Sequence, residues 1–472
     1  MAVPEPPSDS PDPDDWPDYD PDHDSEDWPG SPEEGIADLL RQAGIPVEAG
    51  ASLEQMLSQL AHQIVSQLQD QAKTSGAEPD RPVTWTAAKQ AARTQIASLG
   101  PDPVPDGRKT REIADAVHLV ELWLDAHTAF PSLALPPAAW SRAEWIEQTL
   151  PAWQTMIEPV ISTIAQGLET AMADRLRQPD AVPELAQFQQ FLQPVLRQAA
   201  DSMFGARLGK ELGRIATETV TATDLGFPLL AKPQVAVLPT NLAAFADGLS
   251  LEEGDILLYH SIREAARQRL FAEVSWIGPQ ITALVQHYAR EIRIDPEALS
   301  AAIEESVPHE ITRETVDRFE VEVNTFIFEP GKTPEQVAIL ERLETALALL
   351  EGWVDDVAVQ ATASWMPSAG AVAEMIRRRR VTNSPAAAVF STLLGLNVRP
   401  KLFREAQVFW AQLRAARGPA GRDETWRHPD DLPTAAELAD PAAFLARLDS
   451  PAGAVLDPFD IELRRLLDGG EE

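Results

Sequence analysis

The chain contains no cysteine. Disulfides, thiol nucleophiles and thiolate-bound metals are therefore excluded, and any metal would have to be held by His, Asp or Glu. Basic residues are also scarce: 39 Lys and Arg stand against 74 Asp and Glu, for a formal charge of -35. Such a chain repels nucleic acid and anionic lipid, and neither is expected as a partner. No window approaches a membrane-spanning run of uncharged apolar residues, and the opening MAVPEPPSDSPDPDD has neither the basic nor the apolar part of an export signal. A soluble, cytoplasmic protein is expected. Also lacking are a glycine-rich phosphate loop, a dinucleotide fingerprint and a G-x-S-x-G elbow, which leaves nucleotide-binding and esterase readings without support.

What is present is length and apolar content: 472 residues, 44% of them hydrophobic. That is too much for one ordinary core, so several packed units or one large helical body with extensions is expected. Residues 1–34 hold 13 Asp or Glu, nine Pro and no Lys or Arg, the composition of a disordered acidic tail, in which Trp16 and Trp28 would suit weak docking. Residues 35–73 carry two amphipathic stretches broken at Gly44-Ile45-Pro46, which predicts a helical arm, and 74–82 (TSGAEPDRP) has the composition of a linker.

From Val83 onward, apolar residues recur at helical spacing between Ser, Thr or Asp starts and Gly or Pro stops. The fold class expected for 83–472 is mainly α. The predicted helices are Thr84–Leu99, Thr110–Thr128, Ala143–Gln166, Glu184–Thr223, Gly254–Phe271, Pro279–Ile292, Pro296–Ser306, Pro334–Trp365, Ser368–Arg380 and Pro400–Arg417. One short strand is expected in QVAVLPTNLAAF, where Val235 and Val237 alternate with smaller residues. Gly205, Gly209 and Gly213 form a small-residue seam suited to close helix packing, and Trp123, Trp145, Trp153, Trp353 and Trp410 sit at apolar helical positions that read as core.

The stretch with chemical content is Arg263-Glu264-Ala265-Ala266-Arg267. With histidines at its ends it would read HEAAH, in which two imidazoles one turn apart bind zinc and the glutamate takes a proton from zinc-bound water. Guanidinium offers five donors and no lone pair, so neither arginine can be a ligand. By spacing alone, Arg and Glu three or four apart on a helix read as a solvated ion pair.

The wider chain supplies more. WLDAHTAFP (123–131), RAEWIEQTLPAW (142–153), FGARLGKELG (204–213), REAARQRLFAEVSWI (263–277), ALLEGWVDDV (348–357), RRRRVTNSPAAAVFSTLLGLNVRPKLFREAQVFW (377–410) and GRDETWRHPDDLPTAAEL (421–438) occur in an order that resembles the zincin-like zinc-dependent metalloprotease family of actinobacteria, sometimes associated with deazaflavin coenzyme biosynthesis. The resemblance runs from about Val83 to about Leu448. It implies a zincin-like helical domain in which Glu264 matches the general base and Arg263 and Arg267 stand at the zinc-ligand positions. In the second motif, LEGxxDHV, the third-ligand glutamate falls on Glu351 and the histidine on Asp356. Zinc is the family's cofactor, but none is expected at this substituted site. A guanidinium pairing with Glu351 across two helices is expected instead, and two guanidiniums against Glu264 and Glu351 sum to zero charge.

Other candidates compete. His260 and His287 each precede a glutamate by one turn and could assemble a relocated His/Glu metal centre on facing helices. Arg377 to Arg380 reads equally as a cationic helix end or, with Asn397 to Lys401, as an anion-binding patch. The functional expectation is a metalloprotease-like hydrolase with a degenerate motif. The alternatives are a non-catalytic binding or scaffold protein with a peptide or protein partner, and a hydrolase with the relocated centre. The sequence leaves the oligomeric state open.

Overall fold

Helical periodicity becomes helix almost throughout the computed structural model, which describes residues 83–176, 205–291, 333–382 and 402–449. All lie in the unit Ser75–Glu472. The acidic tail, the arm, the linker, the helix expected at 296–306 and the 397–401 patch fall outside the described residues.

In chain order the helices are α1 (Val83–Ser98), α2 (Gly107–Leu124), α3 (Arg142–Leu176), α4 (205–218), α5 (Pro239–Ala246), α6 (Glu253–Glu273), α7 (Ile277–Arg290), α8 (Pro334–Thr362), α9 (Ala369–Thr382), α10 (Phe403–Asp423), α11 (Ala435–Ala439) and α12 (Pro441–Asp449). Their ends follow local chemistry. Asp106 accepts from the Arg108 and Lys109 amides to open α2, and Thr333 with Gln336 forms a reciprocal capping box around Pro334 at the start of α8. The start of α3 is capped from a distance, because Asp102 accepts from the amides of Arg142 and Ala143. A left-handed Gly418 followed by Pro419 kinks α10, which runs past the Arg417 end expected from sequence.

Two helices form the middle of the packing. Helix α6 contacts α2, α5, α8 and α9, and α8 contacts α2, α6, α7, α9 and α10. Helix α6 is buried on nearly every side from Ile256 to Leu270, as a central rather than a surface helix must be. Around this pair Trp145, Trp153, Trp353 and Trp410 are fully enclosed. Each contributes roughly 4–6 kcal/mol of apolar burial as an upper bound. Three of them also satisfy their indole N–H groups, on Ala222 O, Asp423 Oδ1 and Leu349 O. Trp123 is only half-buried and stacks on the exposed Trp365, so it departs from the core reading.

Two departures from the sequence reading shape the centre. The strand expected in QVAVLPTNLAAF is two residues long, β2 (Ala236–Val237), because Pro239 starts α5 at once. It pairs in parallel with β1 (Ala138–Ala139), which the sequence reading did not anticipate. The helix expected to reach Thr223 stops at 218, where the β-branched run Thr219-Val220-Thr221 turns extended. Thr221 then bridges Val237 in antiparallel fashion, with the Ala222 amide donating to Ala236 O, and residues 222–225 form a turn.

The glycine seam does what its composition suggests. A Cβ on Gly209 would lie 2.0 Å from Ala88 O, and one on Gly213 would lie 2.7 Å from Ala92 O, so α4 crosses α1 at backbone contact. Gly209→Ala is expected to lower stability by about 1–3 kcal/mol through overpacking. Gly370→Ala, in open space on α9, is expected to stay within about 0.5 kcal/mol of the parent. Urea unfolding of the two variants checks the contrast.

Candidate functional site

Helix α6 presents Arg263, Glu264, Arg267 and Gln268 on adjoining turns, and all four are buried. This corrects the reading of a solvated ion pair. Against them α8 presents Glu351 and, one turn later, Asp355. Arg267 grips Glu351 with two donors, Nε to Oε1 at 2.9 Å and Nη2 to Oε2 at 3.3 Å, while its Nη1 reaches Glu264 Oε2 at 2.9 Å. Arg263 donates from Nη2 to Glu351 Oε2 at 2.8 Å and from Nη1 to Asp355 Oδ1. Both guanidiniums therefore meet on one carboxylate, in the fork geometry that suits arginine and not lysine.

Glu264 is 0% exposed and saturated with donors. Besides Arg267 it accepts from Thr221 Oγ1 at 2.8 Å, Thr223 Oγ1 at 2.9 Å, the Thr223 amide at 3.2 Å and Gln268 Nε2 at 2.8 Å. Thr221, at the bridge to Val237, and Thr223, in the turn that follows, deliver the two hydroxyls, which is how the small ladder serves the centre. The following turn passes close to α8 because residue 226 is glycine: φ is +85°, and a Cβ there would meet Glu351 Oε1 at 3.0 Å.

Burial pushes the Glu264 carboxyl above the ordinary carboxylate range, opposed by Arg267, Gln268, Thr221 and Thr223. Burial also works against the charge on Arg267, but Glu351, Glu264 and Asp224 outweigh it and the guanidinium stays protonated. The charge sum expected from sequence needs correcting. Asp355 makes three carboxylates against two guanidiniums, a formal sum of -1, with Asp355 at the more open edge.

Zinc does not fit these residues. Arg263 and Arg267 have no lone pair to give, and both oxygens of Glu351 already accept from guanidiniums. A general base needs a lone pair turned to water or substrate, and every donor around Glu264 comes from protein.

The remaining candidates lie elsewhere. Asp356 faces away from Glu351 and accepts from Arg422 Nη1 at 2.8 Å and Arg414 Nε at 3.1 Å, both on α10. Arg422 also donates to Asp423 and to the His127 carbonyl, while Asp423 accepts from Thr128 Oγ1 and the Ala129 amide. Burial, with Arg422 and Arg414 nearby, holds the His127 pKa down. His260 is buried edge-on against Phe245, whereas His287 is half-exposed at 3.8 Å from Glu335, so neither histidine is seen joining the other in a centre. Among the described residues, no group of three or more His, Asp or Glu is arranged to hold a metal. Arg377 and Arg378 pair with Glu374, and Arg379 lies over the Phe245 ring and donates to Glu218 O, so these three serve α9 and its neighbours.

Sequence reasoning missed Asp355, Thr221, Thr223 and Gln268. The i, i+4 spacing of Glu351 and Asp355, and of Glu264 and Gln268, could have flagged two of them. The threonines carry no such signal.

Glu351→Gln leaves two buried guanidiniums facing an amide and is expected to cost about 3–5 kcal/mol in urea unfolding. The raised Glu264 pKa also fixes a pH trend. Its stabilising contribution is complete below the unfolded value of 4.5 and is lost as the pH rises through the folded value. As the pH rises above the unfolded value of 4.5, the parent is expected to lose more stability than Glu264→Gln, checked by unfolding midpoints at each pH.

A solved structure from Chloroflexus aurantiacus, described as a "putative hydrolase with a novel fold", superposes with a TM-score of 0.53 at 19% identity, covering 78% of this chain and 99% of that one. That likeness is one of fold. No curated protein matches the chain. Residues 83–445, which contain every element of the centre, match the zincin-like metallopeptidase family, and the chain belongs to that family.

Proposed function

We propose that this chain is a metallopeptidase-family member in which a fixed arginine pair has replaced the catalytic cation, and that it works as a non-catalytic binding or scaffold protein. The observation that carries the proposal is the double grip of Arg263 and Arg267 on Glu351. An intact centre of the family type places a dication beside its glutamates; here guanidinium charge fills that electrostatic role, and the helices stay joined without metal. The saturated surroundings of Glu264 support the same reading, since no lone pair is left to activate water.

A protein or peptide is the partner class that fits a chain of charge -35, and nucleic acid is not. No helix among the described residues is long and apolar enough to cross a membrane. The actinobacterial, deazaflavin-associated setting implied by the sequence resemblance is consistent with this proposal, which assigns no coenzyme site.

Zinc analysis tests the proposal. The dialysed parent is expected to hold far less than one zinc per chain, and Arg263→His combined with Arg267→His is expected to raise uptake towards about one, with Glu351 as third ligand. Near-equimolar zinc in the dialysed parent overturns it.

A further inference from the structure

On the α2 side of α6 lies a groove of about 470 Å³, bounded by the outer face of α2 and the segment 132–137. Its walls are apolar, with Leu122, Leu133, Leu135 and Pro136, and its α2 wall also carries Glu121 and Asp125. Leu122 is 58% exposed, which leaves a large apolar side chain in water at the rim. Leu135 also lines the groove and is 39% exposed, so apolar surface is left uncovered along a concave wall, a feature that marks interaction sites.

The charge at the groove identifies what would fill it. Arg269 of α6 is enclosed and donates to both Glu121 and Asp125, at 2.8 Å to Asp125 Oδ1. One guanidinium against two carboxylates leaves one negative charge. The Asp125 side chain is 60% exposed, so that charge is open to a partner. A ligand that covers Leu122 and Leu135 must also supply a cation near Asp125, or leave the carboxylate desolvated and under-paired. A second copy of this chain is disfavoured as occupant, because each copy carries a charge of -35.

We infer that this groove docks a peptide segment of a partner protein that presents Arg or Lys between apolar side chains, the cation on Asp125 and Glu121 and the apolar residues on Leu122 and Leu135. The inference rests on the binding-protein reading above and names its partner class. Its failure is separable from failure of that reading, because zinc content reports nothing about the groove and neither variant below touches the Arg263, Arg267 and Glu351 cluster.

The test uses the full chain and fluorescein-labelled acetyl-Ala-Leu-Leu-Arg-Leu-Ala-amide, with versions carrying Gln or Glu in place of Arg, read by anisotropy at low salt. The Arg peptide is expected to bind about tenfold more tightly than the Gln peptide, and the Glu peptide more weakly than either. Asp125→Asn is expected to abolish the preference for Arg over Gln, and Leu122→Asp to weaken both. Circular dichroism of the two variants should match the parent, since Leu122 is exposed and Arg269 keeps Glu121 as its counterion when Asp125 becomes Asn. The inference is overturned if no peptide binds, if the Glu peptide binds as well as the Arg peptide, or if the preference survives Asp125→Asn. It is also overturned if sedimentation shows a parent dimer that Leu122→Asp dissolves, because the groove would then hold a second copy.

Discussion

The shared grip of two arginines on Glu351 is the constraint around which the rest of the centre is arranged. Charges this deeply enclosed persist only when each finds a partner with good geometry. Arg267 meets that requirement by spanning Glu351 and Glu264, and Arg263 by spanning Glu351 and Asp355. The interaction joins α6 to α8 at their middles, and each of these helices contacts much of the remaining fold. The threonine cradle is the second tier of the arrangement. It uses a single bridge to β2 and the turn after it to hold Glu264 in a place from which solvent is excluded.

The family is zincin-like, and the centre of this member is filled by arginine–carboxylate pairs. A zincin-like fold supplies the scaffold on which two helices bring a base and a third ligand together. In this chain the same scaffold brings two guanidiniums into direct contact with three carboxylates. Both oxygens of Glu351 accept from arginine, and Glu264 is enclosed by Arg267 and its other donors.

Much of the helical body was legible in the sequence because burial of one helix face requires a 3.6-residue period. The ends of α1, α6, α8 and α9 fall within a few residues of the expected positions. The resemblance brought Arg263, Glu264, Arg267 and Glu351 together before any coordinates did, since spacing alone does not tell a buried ion pair from a solvated one. Asp356 was misplaced for a simple reason: the motif placed it beside Glu351 in sequence, whereas helical rotation sends it to α10. Thr221 and Thr223 were invisible because their role depends on a ladder with Val237, and pairing between short strands leaves almost no trace in composition.

Asp355 and Asp356 are neighbours in the chain, yet they bond to arginines on different helices, Arg263 on α6 for one and Arg414 and Arg422 on α10 for the other. Helix α8 is thereby keyed like a bolt held from two sides, and turning it by a single residue would present each acid to the wrong lock. Drift in sequence along its length can proceed one side chain at a time, but insertion or deletion within it cannot. An insertion or deletion between its capped start and the two acids would therefore carry both out of register with the arginines that hold them.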